Sequence, residues 1–209
     1  MSCESVEDCE EYKQCIRDAY TNVKTWSDLI LTNVAFLEGN QKATFYSSSE
    51  FHDNFYTENV WRIENDLIRL NKSYSLFTHE YQSSMISYDN VVQRGYVAFV
   101  CQKNPALVEH LMADVRIYTF VREENADGTS SIIHNCPHEI ALTEPYGTKF
   151  KVAFYDNETN ELIDLVNKFP NIKSLFEDAL HVFVMLREFP KNNIKSIQPT
   201  KCVIDALEK

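Results

Sequence analysis

Residues 171–189 read NIKSLFEDALHVFVMLREF, and their reading as a closing helix decides the expected architecture. Ile172, Leu175, Phe176, Ala179, Leu180, Phe183 and Leu186 recur at three- and four-residue steps, the spacing of one helix face. The spacing predicts a helix begun at Asn171 or Ser174 and ended by Pro190, which cannot continue the backbone hydrogen-bond ladder. Val182, Val184 and Met185 fall outside that stripe, so such a helix is apolar almost all round and must be covered on more than one side. Ile194, Ile197, Val203, Ile204 and Leu207 of the tail offer cover from within the chain. A protein partner seated on Val182, Val184 and Met185 offers the other.

What the helix lies across comes from the segments before it. Residues 115–135, VRIYTFVREENADGTSSIIHN, are two alternating runs joined through Asp127-Gly128, the dipeptide that suits a tight hairpin turn. Residues 149–166 repeat the pattern around a longer loop. YSLFTHEYQ (74–82) and NVVQRGYVAFVCQ (90–102) are rich in β-branched and aromatic residues, and Gly95 marks a bulge or a close backbone approach. NPALVEHLM (104–112) reads as a short helix with Asn104 as its cap and Pro105 at the tolerated first position.

The N-terminal part reads as helical. Ser5 can cap a first helix with Asp8 three residues on, and Thr25 with Asp28 marks a second that stops at Gly39. A third is expected from about Ser49 to Leu70. The expected fold class is therefore α+β: N-terminal helices, then an antiparallel sheet of about five strands with a C-terminal helix packed across it. Residues 1–190 form the expected domain, and 191–209 a tail or edge segment.

This element order resembles two cone-like families, the nuclear transport factor-like domains and the START-type helix-grip lipid carriers. The second likeness is carried by the stretch from about Asp114 to Phe169, a charged hairpin followed by LVNKF (165–169). The sequence departs from it in having too few residues between Pro137 and Lys149 for the usual grip strands, and no family motif matches residue by residue. The resemblance implies a cone-like or helix-grip-like cavity for a hydrophobic ligand. Its wall would be drawn from Phe51, Phe55, Trp61, Leu175, Phe176 and Phe183.

Bulk composition narrows the function classes. A hydrophobic fraction of 44% with 12% aromatic residues supports a real core. Four glycines in 209 residues leave no phosphate-cradling loop. With 31 acidic against 20 basic residues the net charge is -11, which argues against nucleic acid as a partner and for a basic protein surface. No apolar run approaches the length of a membrane span. The six cysteines show no paired spacing and, with no export signal in view, are expected as free thiols in the cytoplasm or nucleus.

SIIHNCPHEI (131–140) places His134, Cys136 and His138 at alternate positions. Same-face residues of a strand are about 7 Å apart, so three in a row do not fit one tetrahedral ion without a kink, which Pro137 could supply. Cys101 or His110 would have to complete the set. The same residues could pair a thiol with an imidazole, as Cys136–His110 or Cys101–His134. Three functions are expected in descending order. The first is a non-enzymatic adaptor docking a protein through an apolar, acid-rimmed surface, with self-association as a variant. The second is a hydrophobic-ligand carrier, and the third an enzyme built on His134, Cys136 and His138. No cofactor, metal or catalytic residue is assigned.

Overall fold

The computed structural model describes residues 17–38, 59–82, 84–86, 92–124, 130–137, 169–177, 179–189 and 197–209. Five helices of labelled extent lie among them: α1 (Trp26–Leu37), α2 (Asn59–Tyr74), α3 (Pro105–Ala113), α4 (Pro170–Phe176) and α5 (Pro199–Leu207). The strands are β1 (Phe77–Gln82), β2 (Met85–Ile86), β3 (Val92–Gln93), β4 (Tyr96–Gln102), β5 (Ile117–Glu124), β6 (Ser130–His134) and β7 (Ala179–Leu186). β2 and β3 form a small ribbon; the other five make one sheet in the order β1-β4-β7-β5-β6, antiparallel throughout. The fold is α+β, with helices, a five-stranded antiparallel sheet and a C-terminal helix.

One expectation is corrected. Residues 171–189 are not a single helix: they divide into the short α4 and the strand β7. Apolar residues fill ALHVFVML without a break except at His181, and an unbroken apolar run satisfies every period at once. What separates strand from helix here is position. β7 lies between β4, paired from Tyr96↔Met185 to Gln102↔Ala179, and β5, paired from Ile117↔Leu186 to Glu123↔Leu180. Every residue of β7 is buried, and Val182, Val184 and Phe183 suit a pleated sheet. The long gripping helix implied by the helix-grip likeness is thereby replaced. Val182, Val184 and Met185, expected as a docking patch, each have 0% exposure.

Both faces of the sheet are covered. On the first, Phe77, Tyr96, Ala98, Val100, Phe120, Phe183 and Met185 pack with Leu29, Ile30 and Val34 of α1 and with Ile172 and Phe176 of α4. On the second, Val97, Phe99, Cys101, Val121, Leu180, Val182 and Val184 meet Leu67 and Leu70 of α2, Leu107 and Leu111 of α3, and Cys202, Val203 and Ile204 of α5. The terminal segment thus supplies the cover that Val203 and Ile204 promised. The expected first helix before residue 17, the Asp127-Gly128 turn and the 149–166 hairpin lie outside the described residues.

Local signals fix the helix ends. Thr25 and Asp28 make the reciprocal capping box that starts α1, and the Asn104 side chain accepts from the Leu107 amide to start α3. α2 ends at Ser75, whose φ of 55° is a left-handed conformation that favours glycine; the Ser75 carbonyl accepts a 3.0 Å bond from the Trp26 indole. Buried amides tie α1, α2 and β1 together. Asn33 Nδ2 donates to Asn71 Oδ1 at 2.8 Å and to the Thr78 carbonyl at 2.9 Å. Asn71 Nδ2 donates to the Leu67 carbonyl and to Thr78 Oγ1.

α5 is fastened by charge as well as by packing. Arg116 Nε donates to Asp114 Oδ1 at 2.9 Å and Arg116 Nη1 to Asp205 Oδ2 at 2.8 Å. Its guanidinium holds the Asp114 carboxyl below the usual carboxylate range. Lys201 also pairs with Asp205, and Arg69 with Glu208.

Two stability outcomes follow from this packing. Ile204→Ala, at a position with 0% exposure, should lower the free energy of unfolding by about 2–5 kcal/mol in urea titration. Asn71→Leu removes the hydrogen bonds of the Asn71 side chain with Asn33, the Leu67 carbonyl and the Thr78 amide and hydroxyl and should cost about 1–3 kcal/mol. Thr78→Val added to Asn71→Leu should recover part of that loss, since it removes the hydroxyl that Asn71 served, while the backbone amide at 78 remains.

Candidate functional site

The two faces differ in chemistry. The second face is mainly apolar, carrying Phe99 and Cys101 beside its aliphatic residues, and the Thr119 hydroxyl buried there donates to the Leu111 carbonyl at 3.3 Å. The first face carries His79 and Glu80 on β1, Tyr96 on β4, His181 on β7, Arg122 on β5 and His134 on β6. This assignment follows from register. Arg122 pairs with His181 and Phe120 with Phe183, and Phe120 pairs with His134. His79 sits at a register shift between Thr78 and Glu80, where an extra residue lets two neighbours lean to one side.

His79 and His181 are 4% and 6% exposed. Burial pushes each imidazole down to about 3, and at His181 the Arg122 guanidinium and His79 push the same way. Both rings are therefore neutral at neutral pH. Phe176 stands over this region, its ring 5.9 Å from His181, 5.6 Å from Phe77 and 6.1 Å from Trp26. At the opposite end of β7, Arg94 lies over the Phe189 ring at 3.9 Å, and Arg187 over Tyr118 at 4.8 Å. The Arg187 Nε donates to the Ile117 carbonyl at 2.7 Å. These arginines stack on rings and brace the sheet end.

Of the sequence-derived candidates, Leu175, Phe176 and Phe183 do gather on the first face. Phe51 and Phe55 lie outside the described residues; Trp61 belongs to α2, with its side chain outside them. Cys136 is buried in the first-face core, its Sγ 3.7 Å from Nδ1 of the exposed His134; His138 lies outside the described residues. Cys101 belongs to the second face, where burial pushes its thiol up to about 12. His110 is on α3, its Nδ1 2.9 Å from the Ala206 carbonyl. The cross-pairs Cys101–His134 and Cys136–His110 are thus divided by the sheet. Among the described residues no three His, Cys, Asp or Glu side chains converge on a metal position.

Sequence reasoning missed His79, His181 and Arg122. Their signal was visible: His181 is the one polar residue in ALHVFVML, and Arg122 ends an otherwise uncharged strand run. Asn135 was missed too, although it fixes where β6 ends. Its Oδ1 accepts from the Thr119 amide at 2.6 Å and its Nδ2 donates to the Met112 carbonyl at 3.0 Å.

The two histidines make an acid-lability test. The unfolded chain takes up protons near 6.5, whereas the folded imidazoles stay neutral until about 3. The stability they confer is complete above 6.5 and is lost as pH falls through that window, at up to about 1.4 kcal/mol per pH unit for each histidine. Urea midpoints measured across the window should fall less steeply in His79→Leu than in the native chain. An unchanged slope would mean that His79 is not held neutral by the fold.

Among the described residues no helix is long and apolar enough to cross a membrane. Compared with known family models and with curated proteins, the chain matches none.

Proposed function

We propose that this protein is a non-enzymatic protein-interaction module that captures an extended, basic segment of a partner along β6. One observation carries the reading. Residues 131–134 of β6 are all exposed, with Ile132 at 40% and Ile133 at 52%. Among the described residues this strand pairs with β5 alone. An edge that offers a row of backbone donors and acceptors beside bare isoleucines is a template for strand addition. With Val182, Val184 and Met185 buried, the exposed isoleucines of β6 are the surface that supports a docking role better.

Charge selects the occupant. The chain carries a net charge of -11, and β5, the strand beside β6, ends in Glu123 and Glu124. A basic strand is drawn to that surface and an acidic one repelled. The free thiols of Cys101, Cys136 and Cys202 support a reducing compartment, the cytoplasm or nucleus.

A synthetic peptide of alternating valine and lysine provides the probe. It should bind the full chain, protect the β6 amides from hydrogen exchange, and release as salt rises. Ile133→Lys should weaken binding at least about tenfold, by removing an apolar contact and adding like charge. Equal binding of an alternating valine–glutamate peptide, or unaltered binding by Ile133→Lys, would overturn the proposal. So would self-association through β6 that the peptide fails to compete away.

A further inference from the structure

The edge strand β6 has a phase, and its backbone fixes it. The Asn135 amide donates to the Thr119 carbonyl at 3.3 Å, and these two residues continue the β5–β6 register in which Phe120 faces His134. Hydrogen-bonded and non-hydrogen-bonded pairs alternate along an antiparallel ladder. Ile133 with Val121 and Ser131 with Glu123 are therefore bonded pairs, and His134 with Phe120 and Ile132 with Arg122 are not. The other side of β5 agrees. The Arg187 amide donates to the Arg116 carbonyl at 2.9 Å, which turns the even-numbered residues of β5 toward β7 and the odd-numbered ones toward β6. The amides and carbonyls of Ile132 and His134 consequently point away from β5, and among the described residues no backbone group bonds to them.

Side chains follow from that backbone phase. Ile132 and His134 stand on the first face, the His134 ring 5.7 Å from that of Phe120 and Arg122 beside Ile132. Ile133 stands on the second face beside Val121, followed along that margin by Ser131 and Glu123. Glu123 pairs there with Lys103 at 2.9 Å, both side chains nearly half exposed, a weak and exchangeable contact. We infer that β6 takes its partner as an antiparallel strand in one phase, with apolar side chains on the first face opposite Ile132 and His134 and basic side chains on the second face opposite Ile133 and Ser131. This rests on the capture of a basic strand by β6 and names what that strand must present. Antiparallel pairing is the slightly stronger arrangement, and residues opposite Ile132 and His134 would exchange both backbone hydrogen bonds with them. The partner's inward amides thus belong to its apolar residues. A lysine on the first face would meet the like charge of Arg122, whereas on the second its stem lies along Ile133 with the ammonium toward Glu123. Glu124, the other carboxylate of β5, is opposite Ser130 and outside the stretch from Ile132 to His134.

The test uses the full chain and the alternating valine–lysine peptide in three forms: unmodified, N-methylated at every valine, and N-methylated at every lysine. N-methylation removes the amide donor and crowds the neighbouring strand, so only an amide facing away from β6 tolerates it. Methylated valines should weaken binding at least about tenfold, and methylated lysines less than about threefold. Two variants at exposed positions, equal in net charge, report the face. Ile132→Glu sets a carboxylate among the valines and Ile133→Glu sets one among the lysines. The first should bind the unmodified peptide at least about fivefold more weakly than the second. Binding lost on methylating the lysines but kept on methylating the valines, equal weakening by both, or binding by Ile132→Glu as tight as by Ile133→Glu would overturn the phase and leave capture by β6 standing. Undiminished binding of both methylated peptides would overturn strand pairing itself, and failure of the unmodified peptide to bind would remove the capture reading and the phase together.

Discussion

The structure depends on the burial of β7 between two strands and between two layers of helix. Each of its apolar residues contributes to one of two cores: Ala179, Phe183 and Met185 to the first face, Leu180, Val182, Val184 and Leu186 to the second. Because both faces are apolar, the usual alternation of a half-exposed antiparallel strand disappears. The helices are then positioned by what each face needs covered. α1 and α4 close the first, while α2, α3 and α5 close the second. The ion pair of Arg116 with Asp205 ties α5 to the segment before β5, but its buried Val203 and Ile204 supply the larger part of the attachment, since a partly exposed ion pair is individually weak.

That arrangement explains the division of chemistry. The second face is packed as a mainly apolar layer under α2, α3 and α5. The first face admits histidines, an arginine and a glutamate among its rings, and β6 at the sheet edge leaves its isoleucines exposed. The bulge in β1 places His79 beside Glu80 on the first face. Without that extra residue the strand's alternation would send one of the two to the opposite side.

The sequence made some of this legible and hid the rest for identifiable reasons. The caps at Thr25 and Asn104 are local, each set by a side chain reaching a backbone amide three residues away, and both were readable. The antiparallel pairing of β5 with β6 was likewise readable from alternation. β7 was not, because an apolar run without polar interruptions fits a helix as well as a central strand, and what decides is the identity of its neighbours in space. That β6 pairs with β5 alone among the described residues was hidden for the same reason. Cys136 Sγ lies 3.7 Å from His134 Nδ1, whereas the pairs Cys136–His110 and Cys101–His134 that the sequence suggested are kept apart by the sheet. The association of His79, His181 and Arg122 comes from three strands distant in sequence, and no local pattern announces it.

The strand at the middle of the sheet, β7, is made after both of its neighbours. β4 and β5 emerge from the ribosome well before the residues that will separate and pair with them. Until then each carries an open, strongly apolar margin with nothing alongside. Such distant pairings slow folding, and unclaimed strand margins invite intermolecular association while they last. The nascent protein is therefore most in need of a chaperone during the interval between the synthesis of β5 and the release of β7.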